Sequence, residues 1–245
     1  MANWIPAQVL ENRHWNQDLF SLKLHADIEP FTAGQFTKLG LEMDGKVIQR
    51  AYSFVNGPNS DIEIYATRVA DGLLSPKLHQ LEPGNQILIN ATASGYFTLN
   101  EVPEGEHLWL LSSGTALGAF LSILTSPDIW QRFRKVVLVH AVRFSSDLSY
   151  QAEIEQIKKQ HPDQLIVQPF VSREPAPNTL TGRIPHALDD GLLERSVGLT
   201  ISQQSQFMLC GNPDMVRDTR AALERKGLKK NLRKEPGHIT MENYW

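Results

Sequence analysis

The sequence holds a single cysteine, Cys210, in 245 residues. One thiol cannot close an intramolecular disulfide, build a zinc ribbon or ligate an iron–sulfur cluster. It reads as a chain of a reducing cytoplasm. Long apolar runs are missing: nothing approaches the ~20 residues that span a bilayer. The opening, Met1-Ala2-Asn3-Trp4-Ile5-Pro6, has no basic segment leading into an apolar stretch. Neither a membrane span nor a secretory signal is expected. An excess of one charge is missing too, since the net charge is -3, which argues against a general nucleic-acid binder. The eight histidines show no metal-ligand spacing, so no metal site is expected. Internal repeats and low-complexity segments are absent.

What is present is an ordinary globular composition, 41% hydrophobic and 21% charged. With typical domains of about 100–150 residues, two domains are expected. The first hundred residues read as short strands. Leu19-Phe20-Ser21-Leu22-Lys23-Leu24 alternates in part, Asp61-Ile62-Glu63-Ile64-Tyr65-Ala66 alternates cleanly, and Gln86-Ile87-Leu88-Ile89 ends the series. Met43-Asp44-Gly45-Lys46, Asn56-Gly57-Pro58-Asn59 and Glu82-Pro83-Gly84-Asn85 punctuate them, which suggests an antiparallel barrel or sandwich. Leu73 to Leu81 reads as one short helix.

The texture changes after Glu101-Val102-Pro103-Glu104-Gly105-Glu106. Apolar strands are expected at His107–Ser112, Lys135–Ala141, Gln164–Ser172 and Gln206–Cys210. Helices are expected at Ala116–Leu124, Leu148–Gln160 and Asp214–Lys226. Strands alternating with helices imply a parallel sheet. The segment from Arg173 to Leu199 reads as surface loop with a short helix. The expected architecture is an N-terminal antiparallel β-barrel, residues 1–100, followed by a C-terminal doubly wound parallel α/β domain, residues 101–245. Ligands of such sheets bind at strand carboxyl ends where strand order reverses, which points to Ser112–Gly118.

Arg50-Ala51-Tyr52-Ser53 closes a strand-like segment. An arginine can hold a pyrophosphate bidentately, and a tyrosine two residues on can offer a flat face to a ring. Taken alone, the same residues read as an exposed arginine beside a core tyrosine in a strand. With its neighbours, the motif resembles the Arg-x-Tyr-Ser flavin motif of the ferredoxin–NADP reductase family. Pro30-Phe31-Thr32-Ala33-Gly34-Gln35-Phe36, Asp71-Gly72-Leu73-Leu74-Ser75, Gly114-Thr115-Ala116-Leu117-Gly118, Val171-Ser172-Arg173-Glu174 and Leu209-Cys210-Gly211-Asn212-Pro213 match further family blocks in order. The ending, Glu242-Asn243-Tyr244-Trp245, is similar to the aromatic tail of the bacterial ferredoxin/flavodoxin–NADP reductases.

The resemblance implies FAD held between the two domains and NADP(H) as substrate. Arg50, Ala51, Tyr52, Ser53, Tyr65, Leu73, Leu74, Ser75, Thr115, Tyr244 and Trp245 would hold FAD, with Tyr52 and Tyr244 on opposite faces of the flavin. The phosphate contacts of Leu73, Leu74 and Ser75 would be largely main-chain. Ser53, Cys210 and Tyr244 would stand at the reacting centre, Cys210 as a positioning thiol beside the nicotinamide. A glycine of the family's nucleotide loop is missing, since the chain reads Ser113-Gly114-Thr115. Hydride would pass from NADPH to flavin N5, and single electrons onward to ferredoxin or flavodoxin, in a cytoplasmic monomer. Glu242 is a candidate proton relay. An NAD(P)H–flavin reductase is the nearest rival.

Coenzyme choice has a physical argument of its own. NAD sites usually place an acid after the second strand of the sheet, to accept from the ribose 2′-hydroxyl. Here Arg143 follows that strand, Arg173 ends the third, and Arg183 follows in Thr181-Gly182-Arg183. Three arginines at strand ends suit a 2′-phosphate, hence NADP. A basic run, Arg225, Lys226, Lys229, Lys230, Arg233 and Lys234, is either a solvated face or a docking surface for an acidic carrier.

Overall fold

The computed structural model describes residues 3–58 and 60–243. The chain separates into two compact units, Met1–Thr98 with Gly118–Ser126, and Leu99–Leu117 with Pro127–Trp245. A single cut near residue 100 therefore misses one detail. Most of the helix that follows the first parallel strand packs with the barrel unit, where Ser122 Oγ donates to the Asn56 carbonyl at 2.7 Å.

In the first unit β1 (Trp4–His14), β2 (Leu19–His25), β3 (Phe36–Met43), β4 (Lys46–Ser53), β5 (Ile62–Thr67) and β6 (Gln86–Asn90) form one sheet in the order β4-β3-β6-β1-β2-β5. Every pairing is antiparallel. The sheet closes on itself. Phe54, just past β4, bridges Ile64 of β5, and the Val55 amide donates to the Glu63 carbonyl at 2.8 Å. That closure makes it a barrel. Its core gathers Phe20, Leu22, Leu39, Phe54, Ile64 and Ile89. The longest strand, β1, shows little alternation in sequence, because only Ala7 and Val9 of it are buried and a bulge lies between Val9 and Glu11. The helix expected over Leu73–Leu81 is shorter, α1 (Ser75–His79), with a proline in its first turn.

The second sheet is parallel throughout. It comprises β7 (His107–Ser113), β8 (Lys135–Val142), β9 (Leu165–Val171), β10 (Leu180–Thr181), β11 (Ser205–Gly211) and β12 (Ile239–Asn243), in the order β10-β9-β8-β7-β11-β12. Strand order reverses between β7 and β11. Helices α2 (Leu117–Leu124), α3 (Pro127–Arg132), α4 (Gln151–Gln160), α5 (Ile184–Asp189), α6 (Leu192–Val197) and α7 (Pro213–Arg225) complete the chain. The stretch read as loop with a short helix holds the edge strand β10 and two short helices, α5 and α6. The other edge strand, β12, owes its extended form to pairing with β11 from Phe207↔Ile239 to Gly211↔Asn243. Among the described residues no helix is long and apolar enough to cross a membrane.

Candidate functional site

In the barrel unit, β4 delivers the Arg50-Ala51-Tyr52-Ser53 motif. Arg50 and Ala51 are exposed, whereas Tyr52 and Ser53 are buried. The Arg50 Nη1 donates to the carbonyl of its own neighbour Gln49 at 2.7 Å. Burial pushes the Tyr52 phenol up to about 12, against the opposing pull of Arg50, so the ring is neutral at ordinary pH. Residues 69–75 form a closed loop. The Gly72 amide donates to the Val69 carbonyl at 2.9 Å, and the Val69 amide donates to Ser75 Oγ at 3.0 Å. Intrahelical bonding in α1 begins with the Lys77 and Leu78 amides on the Leu74 carbonyl. The amides before them have no acceptor within the helix. The Leu74 side chain lies in the core while Leu73 is 63% exposed, which fits contacts made through the main chain. Tyr65 is enclosed, with its ring edge-on to Trp15 at 6.4 Å. As it stands, Tyr65 is a wall of the barrel core and offers no free face.

In the second unit the strand reversal brings the ends of β7 and β11 into close contact. The Asn212 amide donates to Ser113 Oγ at 3.0 Å. Gly211 has φ +139°, and a Cβ there would stand 2.2 Å from Ser113 Oγ and 3.0 Å from the Ser113 main chain. Only glycine fits. Across from it Gly114 has φ +56° with open space where a Cβ would be. The backbone here is bare toward a ligand. Thr115 is buried in the 3₁₀ turn that follows. Behind the loop, His140 of β8 sits beside Ser112, and its Nε2 lies 3.2 Å from the Gly114 carbonyl. Burial depresses the His140 imidazole to about 4, so it is neutral and donates through Nε2. Its Nδ1 is buried with no partner among the described residues. Cys210 is fully buried. Burial first, and then the nearby Glu242 carboxylate, push its thiol far up, so it is no thiolate nucleophile. Glu242 stands opposite Cys210 in the β11–β12 ladder, and burial raises its carboxyl.

The three arginines end three neighbouring strands. The last register pairs are Val142↔Val171 between β8 and β9, and Val171↔Thr181 between β9 and β10. Arg143 follows Val142 directly, and Arg173 and Arg183 each lie two residues past their strands. The Arg173 amide donates to the Arg143 carbonyl at 2.9 Å, and all three side chains are exposed. The basic run is less free than its sequence implies. Arg225 pairs with Asp189 at 2.7 Å, Lys226 with Glu194 at 2.7 Å and Arg233 with Glu101 at 3.4 Å. Lys229, Lys230 and Lys234 form no ion pair among the described residues. Tyr244 and Trp245, read as flavin contacts, lie outside the described residues.

Sequence reasoning missed His140, Ser113 and the close approach at Gly211. A glycine ending the apolar run Phe207–Cys210 was the available signal for the last. Nothing local marks His140, whose role depends on a register between two strands far apart in sequence.

These two halves agree with what known proteins show. Residues 8–97 match the oxidoreductase FAD-binding domain family, and residues 110–221 match the oxidoreductase NAD-binding domain family. The flavodoxin/ferredoxin–NADP reductase of Escherichia coli (strain K12) is 49% identical over 248 residues, with 100% of both chains covered. The ferredoxin–NADP reductase of Pseudomonas aeruginosa is 36% identical, covering 99% of this chain and 98% of its own. A crystal structure of a ferredoxin NADP+ reductase from Neisseria gonorrhoeae with bound FAD and NADP superposes with a TM-score of 0.95 at 30% identity, covering all of both chains. A barrel carrying Arg50-Ala51-Tyr52-Ser53, a doubly wound sheet with an arginine corner and full-length likeness to these enzymes lead to one assignment: the chain belongs to the flavodoxin/ferredoxin–NADP reductase family.

Proposed function

We infer that this chain uses FAD to move electrons between NADPH and a ferredoxin or flavodoxin. The observation that carries the coenzyme half is the corner where Arg143, Arg173 and Arg183 end three neighbouring strands. The residues fit both groups on independent grounds. The bare backbone at Gly114 suits close approach by a nucleotide at the strand reversal, and Gly211 lets Ser113 pack against it there. In the barrel, an exposed Arg50 and the amides of Leu73, Leu74 and Ser75, which precede the first bonded amide of α1, suit a pyrophosphate.

Bound flavin would supply acceptance of two electrons from NADPH and their release one at a time. The protein supplies binding and orientation. Arg50 holds phosphate, and the amides of Leu73, Leu74 and Ser75 assist it. Tyr52, kept neutral by burial, offers its ring, and Ser53 at the end of β4 offers a hydroxyl. Tyr65 supports the barrel wall behind them. Thr115 and the neutral thiol of Cys210 shape the nicotinamide position. Arg143, Arg173 and Arg183 select the 2′-phosphate. Lys229, Lys230 and Lys234 are the cations left to steer an acidic carrier. The enzyme works as a monomer in the cytoplasm, where a reducing compartment suits its single unpaired thiol.

The experiment is anaerobic mixing of the purified yellow protein with NADPH or NADH, followed in visible absorbance. Rapid bleaching by NADPH and slow bleaching by NADH are expected. A hydrogen bond to a charged group contributes roughly 1.5–3 kcal/mol, so Arg143→Ala should weaken NADPH by about 10- to 150-fold and NADH far less. Equal losses for both coenzymes would remove Arg143 from this role.

A further inference from the structure

The arginine corner holds one acid whose partners are unusual. A carboxylate beside arginines ordinarily pairs with one of them. Glu174 follows Arg173 directly, yet among the described residues it forms no ion pair with an arginine. One of its oxygens, Oε1, instead accepts from the Ser145 amide at 2.7 Å and from Ser145 Oγ at 2.6 Å. Both bonds favour the ionised carboxyl and hold it below the usual carboxylate range.

Those bonds extend a zipper beyond the sheet. The β8–β9 register ends at Val142↔Val171. Past it, the Ser172 amide and hydroxyl both donate to the Val142 carbonyl, at 3.1 and 3.2 Å. The Arg173 amide then donates to the Arg143 carbonyl at 2.9 Å. The Ser145–Glu174 pair is the outermost tie, so Arg143 and Arg173 lie bracketed between bonds on both sides. The loop it closes also carries local bonds. The Phe144 amide donates to Asp147 Oδ2 at 3.1 Å, and Tyr150 enters α4 with the left-handed φ of 59° that L residues adopt at a cost. Beyond the Arg173–Arg143 bond, the Ser145–Glu174 pair is what joins the start of this loop to the end of β9.

We propose that Glu174 is a positioning residue for NADP selection: through Ser145 it locks the loop after β8 to the end of β9, holding Arg143 and Arg173 together for one phosphate. The inference rests on the coenzyme reading above. Because Oε1 takes neutral donors from Ser145 and the carboxylate forms no ion pair among the described residues, it leaves the neighbouring guanidinium groups to the ligand.

The test uses the full chain loaded with FAD and titrated by calorimetry with 2′-phospho-AMP and, separately, AMP. Loss of these hydrogen bonds in Glu174→Ala should weaken 2′-phospho-AMP about tenfold and AMP less than about twofold. Amide hydrogen exchange of residues 144–147 should accelerate in the same variant. Ser145→Ala, which removes one of the two bonds, should give a smaller change of the same kind, and combining it with Glu174→Ala should add nothing. Glu174→Gln keeps a carbonyl oxygen to accept from Ser145 and should bind like the wild type. In turnover the defect should appear in KM for NADPH and leave its kcat in place. Tighter or unchanged 2′-phospho-AMP binding in Glu174→Ala, or a Gln variant as weak as the Ala variant, would overturn the inference alone. A wild-type chain that binds 2′-phospho-AMP no better than AMP would overturn the coenzyme reading and this inference with it.

Discussion

The two units each present a six-stranded sheet, but they use it differently. In the parallel sheet β7, β8 and β11 are buried almost end to end, with helices supplying the cover. Side chains inside these strands have little free face, so most candidate groups stand at or just past the strand ends, where Ser113, Arg143, Arg173 and Asn212 are found. In the barrel, β4 keeps Gln49, Arg50 and Ala51 exposed before Tyr52 and Ser53 turn inward. An antiparallel strand with one solvated face can carry a binding group along its length. The lesson is that the barrel site is built of side chains on a strand, whereas the sheet site is built of backbone that must be shaped before any side chain can act.

The sharpest test of that contrast compares two glycines. Gly211→Ala puts a Cβ 2.2 Å from Ser113 Oγ at φ +139°. Strain and overpacking together should cost about 4 kcal/mol of stability. Gly45→Ala alters the β3–β4 turn, where φ is +71° and nothing lies within 4 Å of the added atom. That change should cost about 1 kcal/mol, the left-handed penalty alone. Urea midpoints of the two variants measure both. A Gly211 variant no weaker than the Gly45 variant would break the comparison.

Next in size is the pH response of the sheet unit. His140 in the folded chain is depressed from 6.5 to about 4, chiefly by burial. A depressed base stays unprotonated in the fold while the unfolded chain takes up a proton. Its stabilising effect is complete above about pH 6.5 and is lost as pH falls toward 4. The shift corresponds to about 3 kcal/mol across that window. His79 and His107 are also lowered by burial and add in the same direction, while the raised Glu242 opposes them. The difference curve between wild type and His140→Gln therefore isolates the one group. Gln keeps a donor for the Gly114 carbonyl, and its stability should decline less between pH 6.5 and 4. Parallel curves would mean that the loop is not held by a neutral imidazole.

Much of this frame is legible in the sequence, for reasons that separate the two units again. Continuous apolar strands between helices expose the parallel sheet, and its four inner strands stand within a residue or two of their expected bounds. Both edge strands escape. Leu180–Thr181 is too short for a pattern, and Ile239–Asn243 is extended because β11 offers it a ladder. In the barrel, β1 is hidden by its small buried residues and its bulge. Of the candidate site, residues proposed for their own chemistry, such as Arg50, Tyr52 and Arg143, can be picked out from type and position. Residues that act on a neighbour cannot. Ser113, His140, Ser145 and Glu174 acquire partners only through register.

The smallest effect gives the contrast a change of sign. Each unit finishes a helix with an asparagine, but with opposite ends of the amide. In the barrel Asn12 Nδ2 donates to the carbonyls of Leu78, His79 and Leu81 at 3.3, 3.0 and 2.8 Å, closing the C-terminal end of α1. In the sheet unit Asn212 Oδ1 accepts from the amides of Asp214 and Met215 at 2.9 and 3.3 Å, capping the start of α7. Aspartate keeps the acceptor and discards the donor. Asn12→Asp should therefore cost about 2 kcal/mol, because three carbonyls at a helix C-terminus would face a carboxylate. Asn212→Asp keeps the cap and adds negative charge at a helix N-terminus, so it should stabilise by about 0.3 kcal/mol at low salt and less at high salt. Thermal midpoints at two ionic strengths read both. Two variants that shift in the same direction would show that α1 and α7 are not terminated by the amide atoms named here.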